Sequence, residues 1–117
     1  IGPTTSIRME PHADFVGRLG VRVLIGKGGM GEDTLKACEK YGYVYLQAAP
    51  GCAAKLGQGI KSVYDVHWFE LGMPEALWDL EAEEFGPLVV GMDAHGNSIY
   101  KDLMKTALKR LEQIYPE

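Results

Sequence analysis

Two threonines, an arginine and a lysine stand among glycines near the start of the chain. Thr4, Thr5 and Arg8 lie in GPTTSIRM (2–9), and Lys27 lies in IGKGG (25–29). Two hydroxyls, a guanidinium and an ammonium are a suitable inventory for holding a small multivalent anion. A guanidinium offers a planar bidentate fork to a carboxylate, and an ammonium offers a compact point charge. Thr4, Thr5 and Arg8 precede an apolar-periodic run, so they fall at the entry to a helix, where free N–H groups and the helix dipole favour negative charge. Lys27 follows a short apolar run, and a strand packed beside that helix would carry its ammonium to the same place. The same residues also fit blander roles: Thr4 or Thr5 as a helix cap, Arg8 as surface, Lys27 as a charge that keeps a loop in water.

The elements that must position these groups belong to one domain's worth of chain, 117 residues. Hydrophobic residues at 46% and charged residues at 24% describe a packed core with a solvated surface rather than a disordered tail. The net charge of −4 argues against nonspecific binding to nucleic acid or to an acidic membrane, yet leaves room for a local positive cluster of Arg8 and Lys27. Cys38 reads as a small buried hydrophobe in a helix, and Cys52 follows Pro50-Gly51 in a turn with no C-x-x-C around it. Two separated thiols are too few to hold an iron–sulfur cluster. No apolar run is long enough for a membrane span and no secretory signal is visible, so the cytoplasm is the expected compartment. The chain opens on Ile1-Gly2-Pro3 rather than methionine, and functional residues so near a terminus need anchoring. The sequence is therefore read as the later part of a longer polypeptide.

Taken in order, the pattern predicts a first helix from about Ser6 or Met9 to Leu19, with Pro11 in its first turn, and a strand over Val21 to Ile25. The GKGGMG loop lacks the spacing of a P-loop or a dinucleotide fingerprint, so a nucleotide phosphate is not the expected anion. A helix from Glu32 or Asp33 with Leu35 and Cys38 packed follows, then a strand through Tyr43 to Leu46 whose phenols are expected at a rim. Ala49 to Ala54 reads as a turn, Lys55 to Gly59 as flexible, and Ile60 to Leu71 as strand, with His67 structural or exposed. ELGMPEALW (70–78) reads as a strand exit and a short helix. Asp79, Glu81, Glu83 and Glu84 form a solvated acidic edge. PLVVGM (87–92) reads as a buried strand, DAHGN (93–97) as a turn, and Ser98 to Tyr100 as a returning segment. The final helix, about Asp102 to Ile114, carries Leu103, Met104, Ala107, Leu108, Leu111 and Ile114 at helical spacing, a stripe expected in the core. Alternating strands and helices give an α/β layered domain.

GPTTSIRM, IGKGG, APGCAAKL, IKSVYDVHWFELGMPEALW and DAHGNSIY together resemble the C-terminal catalytic domain, or separate β subunit, of the iron–sulfur class I fumarate hydratase and L-tartrate dehydratase family. The likeness runs from Gly2 to about Tyr100. It implies a swivelling β/β/α domain occupying residues 1–117 and lacking its N-terminal segment. It also implies a hydro-lyase reaction on a dicarboxylate, with a [4Fe-4S] cluster held by an α subunit in a heterotetramer and no cofactor on this chain. By carry-over, Thr4 is the base that takes the substrate C–H proton, Thr5 hydrogen-bonds the substrate, and Arg8 and Lys27 bind its carboxylates. Two departures stand out. The family's preceding segment, with a further substrate-binding arginine, is missing, and Gly29-Met30-Gly31 replaces the Asn-Arg-Ser found after GKG in many single-chain fumarases.

The function expected first is the β component of a fumarate hydratase interconverting fumarate and malate. L-tartrate dehydratase is the close alternative. A noncatalytic dicarboxylate-binding domain is the alternative of another class, and a purely packing role for the glycine-rich start predicts that Thr4, Arg8 and Lys27 do not converge.

Overall fold

A computed structural model describes residues 5–49 and 51–115. A 310 segment, Ser6–His12, runs into helix α1 (Ala13–Arg18). Strand β1 (Val23–Lys27), helix α2 (Glu32–Tyr41), strand β2 (Val44–Ala48) and helix α3 (Ala53–Gly57) follow. The chain continues with β3 (Ile60–His67), a 310 turn (Phe69–Leu71), β4 (Leu77–Ala82), β5 (Leu88–Met92) and α4 (Ile99–Ile114). The fold is mixed α/β. The described residues divide into two compact units, one built from Gly51–Pro87 and the other from residues 5–49 and 88–115. No helix among the described residues is long and apolar enough to cross a membrane.

In the first unit β3 and β4 form an antiparallel pair, with Val66 opposite Trp78 and Val63 opposite Leu80. The segment expected as a short helix through Trp78 is therefore a 310 turn followed by a strand. Leu77, Trp78 and Leu80 fit either period, and cross-strand pairing with β3 decides between them. The Trp78 indole donates to the Met73 carbonyl at 3.0 Å and meets the Phe69 ring edge-on, closing the connection. The segment expected to be flexible, 55–59, is largely taken up by α3, and the strand expected to reach Leu71 ends at His67.

In the second unit β2 is the middle strand, parallel to β1 and antiparallel to β5. A parallel neighbour needs a crossover, and α2 supplies it between β1 and β2. Ala13, Met30, Leu35, Ala37, Cys38, Tyr43, Tyr45 and Met92 form the core. Tyr43 and Tyr45, expected at a rim, are fully buried. Each phenol has a carbonyl to donate to, which is what lets it be buried. The first helix is a 310 run as far as His12, with Pro11 inside it, and turns α-helical only at Ala13. Ser98 caps α4, which therefore starts at Ile99, three residues before the expected Asp102. Every residue of α4 from Lys101 onward is exposed, so the apolar stripe expected in the core is not buried. Periodicity identifies an apolar face and leaves open what covers it. Val89 and Val90 in β5, expected buried, are likewise more than half exposed.

Candidate functional site

The two segments singled out by residue type come together through the backbone. Thr5 pairs with Lys27 in a parallel bridge beside the sheet. The Lys27 N–H donates to the Ser6 hydroxyl at 2.8 Å. Gly26 permits this approach: a Cβ there would lie 2.9 Å from the Ser6 Cβ and 3.1 Å from the Tyr45 hydroxyl. Lys27 is the last residue of β1 rather than part of the turn, since the strand starts and ends two residues later than its apolar run suggests.

Arg8 lies one 310 turn beyond Thr5, its N–H directed at the Thr5 carbonyl. Residues three apart on such a helix are stacked along its axis, so Thr5, Arg8 and the end of β1 share one edge of the unit. Arg8 is exposed and Lys27 partly so. Among the described residues no carboxylate forms an ion pair with either cation. Thr4, the expected base, lies outside the described residues.

The turn after Lys27 is held from below. Gly28 has φ +74°, a left-handed conformation that favours glycine. Its carbonyl accepts from the Tyr45 hydroxyl at 2.8 Å and lies 3.2 Å from the Tyr100 hydroxyl, which also donates to Gln47 Oε1 at 2.6 Å. Glu10 then fixes the start of α2. Its carboxylate accepts from the Gly31 N–H at 2.8 Å, the Thr34 N–H at 3.0 Å and the Thr34 hydroxyl at 2.6 Å. A Cβ at Gly31 would come within 2.7 Å of that carboxylate. Partial burial would raise the Glu10 pKa, but the bonds from Thr34, Gly31 and the neighbouring amides outweigh it and hold the carboxyl below its ordinary value. Ser6, Glu10, Tyr45 and Tyr100 thus hold Lys27, the turn after it and the start of α2 in place, a role for which none of them was singled out in the sequence. Their partners lie many residues away, and no short motif encodes such contacts.

Other candidates fall away. Burial pushes the Cys38 thiol up to about 11, with the Asp93 and Glu10 charges adding to it, so it is no nucleophile at neutral pH. Asp93 is engaged by the backbone of His95 and Asn97 and by the Asn97 amide, so HGN serves chain reversal. His67 is exposed and faces Asp65 at 3.6 Å. Among the described residues no group of three or more His, Cys, Asp or Glu side chains is gathered to hold a metal, so this donor set does not fit an iron–sulfur cluster. A cavity of about 210 Å³ beneath Met30, Leu35, Met92 and Tyr100 is mainly apolar, and one of about 310 Å³ lies by Glu10, Asp33 and Lys40. Neither is lined by Thr5, Arg8 or Lys27.

Comparison with known proteins shows the family to which the chain belongs. The family model described as "Fumarase C-terminus" matches residues 1–103. The "Putative L(+)-tartrate dehydratase subunit beta" of Methanocaldococcus jannaschii is 48% identical over 116 residues, 97% of this chain and 60% of that protein. The "L(+)-tartrate dehydratase subunit beta" of Escherichia coli K12 is 41% identical over 118 residues, 100% of this chain and 59% of that protein. The "Putative fumarate hydratase class I" of Geobacillus stearothermophilus is 46% identical over 113 residues, 96% of this chain but 22% of that protein. The chain thus spans about three fifths of the tartrate dehydratase subunits it matches. With the family model covering most of its length, the chain belongs to the fumarase C-terminus family.

Proposed function

We propose that this chain supplies the anion-binding half of the active site of a hydro-lyase acting on a four-carbon hydroxy dicarboxylate, with L-tartrate as the first candidate substrate. This reverses the order expected from sequence, which put fumarate and malate first. Support for the reversal comes from the relatives at 48% and 41% identity, both of which carry the tartrate dehydratase description. Fumarate and malate stay as the second reading, supported by the 46% identity to the class I fumarate hydratase. The single observation that carries a shared site is the Thr5–Lys27 bridge, because it joins the two cationic segments at one edge.

In this reading Arg8 grips one substrate carboxylate in a bidentate pair and Lys27 holds the other as a point charge. Thr5 hydrogen-bonds the substrate. Thr4 removes the proton beside a carboxylate, and the two cations stabilise the negative charge that develops there. A threonine hydroxyl is a weak base, so Thr4 requires an environment that activates it. A [4Fe-4S] cluster on an α subunit, in a heterotetramer, supplies the Lewis acidity for hydroxide departure. Residues 1–117 then belong to a single swivelling β/β/α domain of the β component.

The test is anaerobic turnover of the full-length polypeptide assembled with its cluster-loaded partner, with L-tartrate, fumarate and malate in parallel. L-tartrate is expected to be consumed fastest, and Arg8→Ala to lower kcat/KM by about a hundredfold or more, the usual loss for one charge-stabilising donor. Turnover of fumarate and malate alone would move the substrate to the second reading. Near-normal turnover by Arg8→Ala would remove Arg8 from the site, and silence with all three acids would reject the hydro-lyase reading.

A further inference from the structure

We infer that Tyr45 and Tyr100 are positioning residues for the Lys27 turn: by holding the Gly28 carbonyl they aim the Gly29 amide N–H, alongside the Lys27 ammonium, at the bound anion. The inference rests on the reading that Lys27 binds a substrate carboxylate.

The two phenols converge on one carbonyl from distant parts of the chain. Tyr45 is fully buried in β2, the strand beside β1, and its hydroxyl reaches the turn past Gly26, which has no side chain to block it. Tyr100 comes from the first turn of α4, and its ring packs against Gly29 and Gly91, where a Cβ would meet it at 3.3 Å and 3.0 Å. The rings lie 6.4 Å apart. Gln47 Oε1 fixes the second phenol, and the Ser6 side chain, whose hydroxyl accepts from the Lys27 N–H, sits with the first beside Gly26. Both hydroxyls stay protonated and able to donate near neutral pH, since burial raises both phenols, Tyr100 to about 12.

The consequence follows from peptide geometry. In a planar trans peptide the C=O and N–H point in opposite directions. A Gly28 carbonyl turned toward the phenols therefore turns the Gly29 N–H away from them. Side chains alternate along a strand, and Gly26 faces Ser6 and Tyr45, so Lys27 projects from the other face. The amide and the ammonium thus share the side opposite the tyrosines. An amide N–H held in place beforehand strengthens anion binding because it need not reorganise when the anion arrives.

The experiment is a kinetic cycle on the assembled enzyme with its preferred diacid, using Tyr45→Phe, Tyr100→Phe, Lys27→Met and each tyrosine change combined with Lys27→Met. Both phenylalanine variants keep the ring. Tyr45→Phe is expected to raise KM about five- to tenfold, and Tyr100→Phe, whose one proton is shared between the Gly28 carbonyl and the nearer Gln47 Oε1, about three- to fivefold, while kcat changes less than about threefold. In the Lys27→Met background the same changes should raise KM by a smaller factor, because the anion is no longer drawn by the ammonium onto the Gly29 N–H that the phenols aim. A packing role would instead give effects that multiply with Lys27→Met, or would lower the thermal midpoint with KM unchanged. Either result overturns the inference. Should Tyr45→Phe fail to assemble, Tyr100→Phe decides alone. Unchanged KM in Lys27→Met, or a wild-type enzyme silent toward every diacid, would overturn the reading of the site and this inference with it. Normal wild-type turnover, a raised KM in Lys27→Met and unaffected tyrosine variants would overturn this inference alone.

Discussion

Helices α2 and α4 carry similar apolar stripes but have opposite fates. In α2, Thr34, Leu35, Ala37 and Cys38 are buried, and both ends are tied down. Glu10 caps the first turn from a distant segment, and Gly42 at φ +71° closes the last, its N–H donating to the Cys38 carbonyl. Asp14 in α1 binds Lys40 at 2.9 Å and the Tyr41 hydroxyl at 2.6 Å, while Gly17 leaves room for the Tyr41 ring. Helix α4 caps itself with Ser98 and leaves Leu103, Met104, Leu108, Leu111 and Ile114 more than half exposed. An amphipathic pattern is thus necessary for burial, but a facing element decides it. The candidate site belongs to the tightly held region, since Lys27, its turn and the start of α2 are all fixed by remote side chains.

The largest effect should come from releasing that hold. Glu10→Ala removes one carboxylate and leaves the Gly31 and Thr34 N–H groups and the Thr34 hydroxyl without their acceptor. Loss of a helix cap together with charge-assisted bonds is expected to lower unfolding stability by about 2 kcal/mol, read as a shift of the urea midpoint at constant slope. A loss below about 0.5 kcal/mol would mean that α2 does not depend on this segment, and the contrast with self-capped α4 would disappear.

What could be read in advance divides along the same line. Local signals placed α2, β2, the glycine turn that begins at Gly28, the Asp93–Asn97 reversal and the existence of α4, because propensity, punctuation and period act within one element. The burial of Cys38 was also legible, as a small apolar residue on the packed side of a helix. The illegible features are the contacts that build the site: Ser6 to Lys27, Glu10 to Thr34 and Tyr100 to Gly28 join residues 21, 24 and 72 positions apart. Such pairings leave no periodic trace, and the same limit explains β4, whose apolar residues match helix and strand alike until β3 lies beside them. Thr5, Arg8 and Lys27 were singled out by residue type, and the backbone bridge that joins Thr5 to Lys27 has no counterpart in either motif.

A smaller effect is expected from pH. Glu10 has a folded-state pKa below its ordinary value of 4.5. A depressed carboxyl contributes stability in full above the unfolded pKa and loses it as pH falls through the folded value. Stability should therefore decline from about pH 5 downward. Glu10→Gln, which cannot titrate, should show a shallower decline. Asp14 and Asp93 are shifted in the same direction by their own hydrogen bonds, so the variant keeps part of the acid dependence. Identical pH profiles for wild type and Glu10→Gln would show that the cap contributes equally whether or not it carries charge.

The smallest effect belongs to α4. Leu108 is 52% exposed, so Leu108→Gln swaps a half-solvated apolar side chain for a polar one of nearly equal helix propensity. Little apolar surface returns to water that was not already there, and the expected change in unfolding stability is within about 0.5 kcal/mol. The same urea titration used for Glu10→Ala measures both on one scale. A loss above about 1.5 kcal/mol would mean that another layer of protein packs on this stripe, because a side chain in open solvent has no apolar contacts of that size to lose. The two helices would then follow one rule, with the partner of α2 found among residues 5–49 and that of α4 outside the described residues.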